Sequence, residues 1–315
     1  MKAVVLKAFG DIDQLEIKDI PVPTIGEDEV LIKTKAISIN PVDYKIRKGI
    51  GWAPPELLAY DPIILGWDLS GIVEAVGAKV EQFQIGDEVF GMVNFTGHGK
   101  AYAEYVAAPA AHLAKKPQNI SHEEAAASTL AVLTAWQAFN SYGKLRPNDK
   151  TLIHAASGGV GHFAVQIAKH LGAYVIGTSS AKNKDFVLGL GANEHIDYKL
   201  VKFEEVLSDL DFVLDAISGD NFAKSIQVLK PFGTIIGLPS GYKADDEIAA
   251  RAKHLHASFY MKVYSSGADM QHIANLLERE IIKPYIYKIY ALDEIKEAHQ
   301  QIESRTTVGK IVIRI

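Results

Sequence analysis

The sequence has 315 residues, of which 48% are hydrophobic and 23% charged, and its formal net charge is −5 at pH 7. Because nucleic-acid surfaces need a basic patch, this acidic balance argues against nucleic acid as a partner. No apolar stretch approaches the about 20 residues of a membrane-spanning helix, and charge follows the first methionine too soon for a signal peptide. We therefore expect a cytoplasmic protein without a membrane partner.

The sequence contains no cysteine, which excludes disulfides and every thiolate zinc site. Its eleven histidines form no H-E-x-x-H motif. His254 and His256 would share one face of a strand, but no third ligand accompanies them. We therefore expect no metal site.

Residues 1–120 consist mostly of short strand-like runs broken by Gly and Pro, for example at 2–6, 29–39, 66–76 and 87–93. This density of short strands predicts a small barrel-like β domain. Ser121 and Glu124 then form a capping box. The box opens a predicted helix that is rich in Ala and Leu and runs to about Tyr142.

From residue 150 to about 238, predicted strands and helices alternate, which indicates βαβ units and a parallel, doubly wound α/β sheet. The predicted strands are 151–155, 174–178, 195–198, 212–216 and 234–238, with helices at 160–171, 184–190, 203–207 and 221–229. A sixth strand at 258–264 and a helix at 269–279 complete this domain. The remaining strand 285–290, helix 292–303 and strand 310–315 predict a return to the first domain.

Residues 155–161, with the sequence Ala-Ala-Ser-Gly-Gly-Val-Gly, predict a dinucleotide-binding turn. In the G-x-G-x-x-G register, Ala156 takes the first glycine place, and Gly158 and Gly161 take the second and third. The flanking strand and helix supply the context that this pattern needs, and N–H groups at the helix start would meet a pyrophosphate. An ordinary glycine-rich turn is the alternative.

The end of the next strand favours NADPH over NAD. NAD-specific folds carry a carboxylate about 20 residues after the glycines, where it holds the ribose 2′-hydroxyl. In this sequence the strand continues into Ser179 and Ser180, followed by Lys182 and Lys184, and Asp185 comes only in the next helix. These hydroxyls and ammonium groups suit a 2′-phosphate. An N-cap serine followed by solvated lysines is the alternative.

Several strings together resemble the zinc-independent quinone oxidoreductase and alkenal reductase branch of the medium-chain dehydrogenase/reductase superfamily. They are 40–49 (NPVDYKIRKG), 66–77 (GWDLSGIVEAVG), 86–91 (GDEVFG), 155–161, Gly191-Ala192 with Tyr198, and 309–312 (GKIV). The resemblance covers nearly the whole chain. It implies a GroES-like catalytic domain at 1–121, a Rossmann NADP-binding domain at 122–281, and a return to the catalytic domain at 282–315.

The resemblance also implies that both zinc sites are missing. Where zinc alcohol dehydrogenases carry ligands, this sequence has the 40–43 region and Gly66-Trp67-Asp68, and no cysteine lies near 93–100. Without a Lewis acid, hydride from NADPH must go to an acceptor that is already electrophilic, such as a quinone or a conjugated enal or enone. The alternative is an NADPH-binding redox sensor or a crystallin-like protein with little turnover.

The candidate catalytic residues are Asn40, Tyr44 and Lys45. The alternatives are that Asn40 is a turn residue, that Tyr44 only packs in the interior, and that Lys45 is a solvated helix lysine. Trp52, Tyr60 and Trp67 would line the pocket or else lie in the core or on the surface. The resemblance implies cofactor contacts at Lys45, Thr134, Ser157, Gly158, Gly159, Val160, Gly161, Thr178, Ser179, Ser180, Lys184, Tyr198, Ala216, Ile217, Gly237, Leu238, Pro239 and Lys310. For Lys310, a lysine that opens an exposed strand is the alternative. The resemblance further suggests a homodimer joined along the sheet edge near 258–264.

Overall fold

The chain forms two compact units in the computed structural model, which describes residues 1–51, 53–238 and 242–315. The first unit comprises Met1–Leu133 and Tyr264–Ile315, and the second comprises Thr134–Val263. The boundaries expected from sequence, after residues 121 and 281, separate a catalytic domain from an NADP-binding domain. They stay a prediction. Among the described residues, no helix is long and apolar enough to cross a membrane.

Short strands dominate the N-terminal part of the chain, and strands alternate with helices further on. In chain order, the strands are β1 (Lys2–Leu6), β2 (Leu15–Asp19), β3 (Glu29–Ile39), β4 (Ile63–Ile64), β5 (Asp68–Val76), β6 (Glu88–Met92), β7 (Tyr105–Pro109), β8 (Leu113–Lys115), β9 (Lys150–Ile153), β10 (Tyr174–Ser179), β11 (Glu194–Asp197), β12 (Leu210–Asp215), β13 (Leu229–Gly237), β14 (His256–Ser258), β15 (Ile286–Ala291) and β16 (Lys310–Arg314). The α-helices are α1 (Pro41–Arg47), α2 (Pro54–Leu57), α3 (His122–Ala127), α4 (Leu130–Gln137), α5 (Gly161–His170), α6 (Lys184–Gly189), α7 (Phe203–Val206), α8 (Asp220–Val228), α9 (Ala244–Ala252), α10 (Gly267–Glu278) and α11 (Ile295–Glu303).

The first unit is built on β-sheets, with β3 at the centre of the larger one. Its described strands pair in the order β15-β16-β3-β5-β6-β8, β7 also pairs with β3, and a smaller sheet has the order β2-β1-β4. The last strand, β16, runs antiparallel to β3. Small side chains let α3 lie close against this sheet, since Ala126 and Ala127 pack on Ala36 and Val312. The C-terminal strand is therefore an internal part of the sheet.

The second unit contains a parallel sheet with the strand order β11-β10-β9-β12-β13-β14 among the described residues. The chain moves outward from β9 to β11 and then returns to β12 on the other side of β9. This is the doubly wound α/β topology that the sequence predicted, and in such sheets ligands bind beyond the carboxyl ends of the strands near this reversal. Buried side chains such as Leu152, Ile176 and Val213 hold the helices on the sheet.

Two predicted elements and the placement of one histidine differ from the structure. The single helix expected up to Tyr142 is interrupted at Ser128 and Thr129, which separate α3 from α4, and its last turn is a π-helix. The strand expected at 258–264 is the shorter β14. His254 lies before that strand at a φ of +55°, so it does not share a strand face with His256.

Candidate functional site

The glycine turn, residues 155–161, connects β9 to α5 as the sequence predicted. The N–H of Ala156 donates to the Thr178 carbonyl at 2.9 Å, which ties the turn to the end of β10. A Cβ at Gly161 would overlap the carbonyl oxygen of Ala155. Glycine is therefore required at this third position by the close approach of the backbone, while Ala156 is fully buried in the first place.

The helix that follows the turn begins without a side-chain cap. Val160 occupies the N-cap of α5, and its side chain cannot accept a hydrogen bond, whereas the hydroxyls of Ser121 and Ser266 cap α3 and α10. The first N–H groups of a helix have no intrahelical acceptor, and they carry its positive dipole end. Within the turn, the Gly158 N–H donates to the Ala155 carbonyl at 2.8 Å and the His162 N–H to the Gly158 carbonyl at 3.0 Å. The start of α5, together with the backbone of Ser157 and Gly159, is therefore suited to hold a phosphate group.

The end of β10 carries two hydroxyls that point to opposite faces of the sheet. Thr178 Oγ1 lies 3.1 Å from His154 Nδ1, and Ser179 Oγ lies 2.7 Å from His195 Nε2. Both residues are buried. Both hydroxyls are therefore already paired within the protein.

Ser180 and Lys184 are more accessible, and Asn183, which the sequence analysis missed, holds Ser180 in place. Asn183 Nδ2 donates to Ser157 Oγ at 3.0 Å and to Ser180 Oγ at 3.4 Å. This amide links the glycine turn to the segment after β10. The ammonium of Lys184 is exposed at the start of α6. Hydroxyl, amide and ammonium groups, without a carboxylate at the strand end, make this segment suitable for a 2′-phosphate.

His195 on β11 is a second residue that the sequence analysis did not select. Its partial burial lowers its pKa below the ordinary value; the nearby Lys184 ammonium adds to this effect, and Asp197 opposes it. Tyr198, just beyond β11, is exposed and its N–H donates to the Ser179 carbonyl at 3.3 Å. Ser179, Lys184, His195 and Tyr198 therefore lie around the same strand end.

The remaining predicted cofactor residues of the second unit lie at or near strand ends, except Thr134 on α4. Asp215 ends β12, and its Oδ1 accepts from the N–H of Ile217 at 2.7 Å, which fixes the Ala216–Ile217 turn. The N–H of Leu238, directly after Gly237 at the end of β13, donates to the Asp215 carbonyl. Thr134 lies buried on α4. Pro239 is outside the described residues.

In the first unit, all three candidate catalytic residues lie at or on α1. Asn40 is the N-cap of α1, and Tyr44 and Lys45 lie half-buried one turn further on. Burial lowers the pKa of Lys45, and the Arg305 charge adds to this effect. Trp67 is a core residue whose Nε1 donates to the Gly97 carbonyl at 2.8 Å, while Tyr60 is exposed and Trp52 is outside the described residues.

Asn40, Asp43, Asp68 and Lys310 form a buried polar group, which we call the Asn40 cluster. Lys310 Nζ donates to Asn40 Oδ1 at 2.5 Å, and Asn40 Nδ2 donates to Asp68 Oδ2 at 2.7 Å. The Lys310 ammonium also lies 3.6 Å from Asp68 Oδ2. All four residues are at most 3% exposed. The exposed-strand alternative for Lys310 is therefore wrong, because β16 lies inside the sheet between β15 and β3.

Burial dominates the ionisation of the Asn40 cluster. It raises the pKa of Asp43 from 3.8 to about 8, although the Asn40 N–H donates to this carboxyl at 2.6 Å. Burial also raises the pKa of Asp68 and lowers that of Lys310, and the attraction between these two opposes both shifts. With Asp43 protonated at neutral pH, the cluster has no net charge, as expected for ionisable groups kept away from water.

Asp68 also explains the break between α3 and α4. Its Oδ1 accepts from the Leu130 N–H at 3.0 Å, so the carboxylate caps the start of α4. Thr129 turns back on α3, with its hydroxyl donating to the Ala126 carbonyl at 3.0 Å. One helix through this segment would remove the free N–H that Asp68 binds. The broken helix therefore serves the Asn40 cluster.

Further buried polar groups connect the Asn40 cluster to α11. Tyr102 lies beside Asp43, and its hydroxyl oxygen is 3.3 Å from His299 Nε2. Burial, with help from the Arg47 charge, lowers the pKa of His299 to about 3. The Arg47 guanidinium pairs with Glu303 and donates to the Gly10 carbonyl at 2.9 Å.

The structure therefore groups the sequence-predicted residues differently from the sequence analysis. It joins Lys310 to Asn40 and places the two next to Asp43 and Asp68, which had not been selected as site residues. The only sequence signal for Asp68 was its place in the string Gly66-Trp67-Asp68. Asn183, Tyr102 and His299 carried no pattern that pointed to them. Which residues contact a cofactor or substrate stays a prediction.

Comparison with known proteins identifies the family. The alcohol dehydrogenase GroES-like domain family matches residues 26–118, and the zinc-binding dehydrogenase family matches residues 190–313. The 2-methylene-furan-3-one reductase of Solanum lycopersicum is 32% identical, over 99% of this chain and 79% of its own length.

Solved structures agree over the full chain. The quinone oxidoreductase from Coxiella burnetii is 35% identical with a TM-score of 0.94, covering 100% of this chain and 99% of that one. The Escherichia coli quinone oxidoreductase complexed with NADPH is 27% identical with a TM-score of 0.88, covering 100% of both chains. This chain therefore belongs to the medium-chain dehydrogenase/reductase superfamily, with quinone oxidoreductases and an enone reductase among its relatives.

Proposed function

We propose that this protein is an NADPH-dependent oxidoreductase that reduces quinones or conjugated enals and enones without zinc. The observation that carries the proposal is the uncapped start of α5 beside a β10 end that bears Ser180, Asn183 and Lys184 and no carboxylate. This arrangement suits both the pyrophosphate and the 2′-phosphate of NADPH. The relatives named above, one of them bound to NADPH, support the same assignment.

When bound, NADPH supplies a hydride, which carries two electrons and reduces a quinone to a hydroquinone once a proton is added. The protein has to bind and orient both partners and to stabilise the negative charge that develops on the acceptor oxygen. Asn40, Tyr44 and Lys45 are the donors that we propose for that oxygen. Asn40 is held in place by Lys310 and Asp68, and Lys45 is half-buried with a lowered pKa.

The zinc named in one matched family does not fit the residues of this chain. The sequence has no cysteine, and no group of three His, Asp or Glu residues in the described part of the chain could hold a metal ion. Beside Asn40 and Asp68, the Lys310 ammonium already supplies the positive charge. We therefore propose that the acceptor must be electrophilic by itself, as conjugated carbonyl compounds are.

A protein that binds NADPH without turnover is the second candidate function, and the same turn and strand end support it equally. A homodimer is part of the proposal, because β14 ends the sheet of the second unit and an open edge strand tends to pair. The cytoplasmic location also stays a prediction.

The test is to follow NADPH absorbance with purified, metal-free protein and four acceptors: a quinone, a 2-alkenal, a cyclic enone and a saturated aldehyde. We expect oxidation of NADPH with conjugated acceptors alone, and slower reaction with NADH. Tight NADPH binding without oxidation by any acceptor would support the sensor. Reduction of the saturated aldehyde would contradict the argument that the missing zinc limits the acceptor.

A further inference from the structure

The carboxamide of Asn40 is held at both of its ends by charged groups that lie far apart in sequence. Its oxygen accepts from Lys310 at 2.5 Å, and its nitrogen donates to Asp68 at 2.7 Å. Both partners are buried, with Lys310 3% exposed and Asp68 fully buried. Such charge-assisted hydrogen bonds are stronger than neutral ones, so the side chain has one preferred position.

These two partners also determine which way the amide faces. An ammonium can only donate and an ionised carboxylate can only accept, so Oδ1 must face Lys310 and Nδ2 must face Asp68. An amide nitrogen carries two hydrogens, and Asp68 takes one of them. The second N–H is used by neither charged partner and remains for another acceptor.

The hydrogen bonds of Lys310 argue against a direct contact with the cofactor. Besides Asn40 Oδ1, its ammonium donates to the Ile39 carbonyl at 3.3 Å and lies 3.6 Å from Asp68 Oδ2. Two of its three N–H donors therefore form hydrogen bonds to Asn40 and Ile39, and the charge is paired with Asp68. With the side chain only 3% exposed as well, the ammonium is directed at Asn40, Ile39 and Asp68 rather than at a phosphate or a ribose hydroxyl.

We infer that Lys310 and Asp68 are positioning residues that orient Asn40, so that its second Nδ2 hydrogen is presented to the oxygen of a quinone or enone. The inference rests on the proposed function, because it assigns Asn40 its role in that reaction. In this inference Lys310 does not contact the cofactor itself and acts only by orienting Asn40. Lys310 and Asn40 should therefore act as one unit in turnover.

A double-mutant cycle on Asn40→Ala and Lys310→Met tests this coupling. Losing one such donor costs about 100-fold in kcat. We expect each single variant to lower kcat/KM for the quinone by about that factor, and the double variant to be no worse than either one. The Kd for NADPH should change less than about threefold in all three. Multiplying losses, or a large rise in the Kd for NADPH in Lys310→Met, would overturn the inference.

Lys116 offers a matched control, since it is also a buried lysine of the first unit. Its ammonium donates to the Pro117 and Ile120 carbonyls and pairs with Glu88. Lys116→Met should lower stability while leaving kcat/KM nearly unchanged. If Lys310→Met does not fold, Lys310→Met combined with Asp68→Asn removes both charges together. The effect of Asn40→Ala on kcat/KM is then compared between the wild type and that double variant.

A second readout needs no turnover and so separates this inference from the proposed function. In ¹⁵N NMR spectra, the side-chain NH₂ pair of Asn40 is assigned as the pair that disappears in Asn40→Ala. We expect this pair to exchange slowly with solvent in the wild type and rapidly in Lys310→Met, but to stay slow in Lys116→Met. Fast exchange in the wild type would contradict a held carboxamide, whether or not any acceptor is reduced.

Discussion

The glycine turn of the second unit and the Asn40 cluster of the first unit both provide hydrogen-bond donors, but they are assembled differently. The turn is a continuous segment, and its donors are backbone N–H groups at the start of α5. The Asn40 cluster joins residues from β5, β16 and the start of α1, and Asn40 and Lys310 are 270 positions apart. The turn is therefore a local structure, whereas the cluster exists only in the folded chain.

This difference has consequences for stability and for binding. A change in the turn alters a backbone path that a ligand would meet directly, while the sheet beneath keeps its core. A change in the Asn40 cluster leaves a buried charge or polar group without its partner, which destabilises the fold itself. We expect variants of the cluster to affect stability first and variants of the turn to affect NADPH binding first.

The largest expected effect is that of Asp68→Ala. Removing this carboxylate leaves Lys310 buried without its charge partner and takes an acceptor from Asn40 and Leu130. We expect a loss of about 3–5 kcal/mol in the free energy of unfolding, measured with urea. Asp13→Ala changes an exposed aspartate that pairs only loosely with Lys296, and should cost less than about 0.5 kcal/mol. A similarly small loss for Asp68→Ala would mean that the cluster is not buried in solution.

The next effect concerns Asp43 and depends on pH. Because burial raises its pKa from 3.8 to about 8, the folded state holds a proton that the unfolded state loses above pH 4. The stability from this proton is complete below pH 4 and is lost as pH rises to about 8, by up to about 1.4 kcal/mol per pH unit. The Asp43→Asn variant lacks this ionisable carboxyl, and so its stability lacks this dependence on pH.

Urea unfolding of the wild type and Asp43→Asn between pH 5 and pH 8 checks this sign. Relative to Asp43→Asn, the wild type should become steadily less stable as pH rises. The difference in the free energy of unfolding between the wild type and Asp13→Asn, at an exposed position, should be the same at every pH. A wild type that gains stability over Asp43→Asn with rising pH would show that Asp43 is ionised in the folded protein.

The sequence was sufficient for the features that depend on neighbouring residues. The parallel strands and the glycine turn were predicted because alternation and small residues act over short distances. The bounds of β14 were not, since only His256–Ser258 pair with Thr234–Ile236 of β13 and residues 259–264 form no strand. The break between α3 and α4 was also missed, because its cause is the distant carboxylate of Asp68 rather than a Gly or Pro.

The candidate site shows the same limit. Ser157, Ser180 and Lys184 were selected from a contiguous pattern, and the structure links Ser157 and Ser180 through Asn183. Lys310 was selected as a cofactor contact, and the exposed-strand alternative to it was wrong, because the pairing of β16 with β3 buries this lysine. Polar contacts between residues far apart in sequence leave no repeating pattern in the sequence, so they could not be predicted from it.

Gly161→Ala is expected to weaken NADPH binding rather than to unfold the protein. The added Cβ would overlap the Ala155 carbonyl, so the turn must move away from the start of α5. We expect the Kd for NADPH to rise about 10- to 100-fold, which corresponds to about 1.4–2.8 kcal/mol. Gly189→Ala is the matched control, because a Cβ there meets no atom within 4 Å. Equal affinities for both variants, measured by nicotinamide fluorescence, would argue against phosphate binding at this turn.

The smallest expected effect is that of Lys184→Ala. The Lys184 ammonium is exposed, so salt screens its interaction with a bound ligand. We expect the Kd for NADPH to rise about fivefold, equivalent to about 1 kcal/mol, and the Kd for NADH to stay unchanged. Lys169→Ala, at the other end of α5, is the control for a lost surface charge. If the affinities for NADPH and NADH fall together, Lys184 acts on the pyrophosphate or on the fold. A fall for NADPH alone that fades in high salt would place the 2′-phosphate beside Lys184, where the turn and the end of β10 meet.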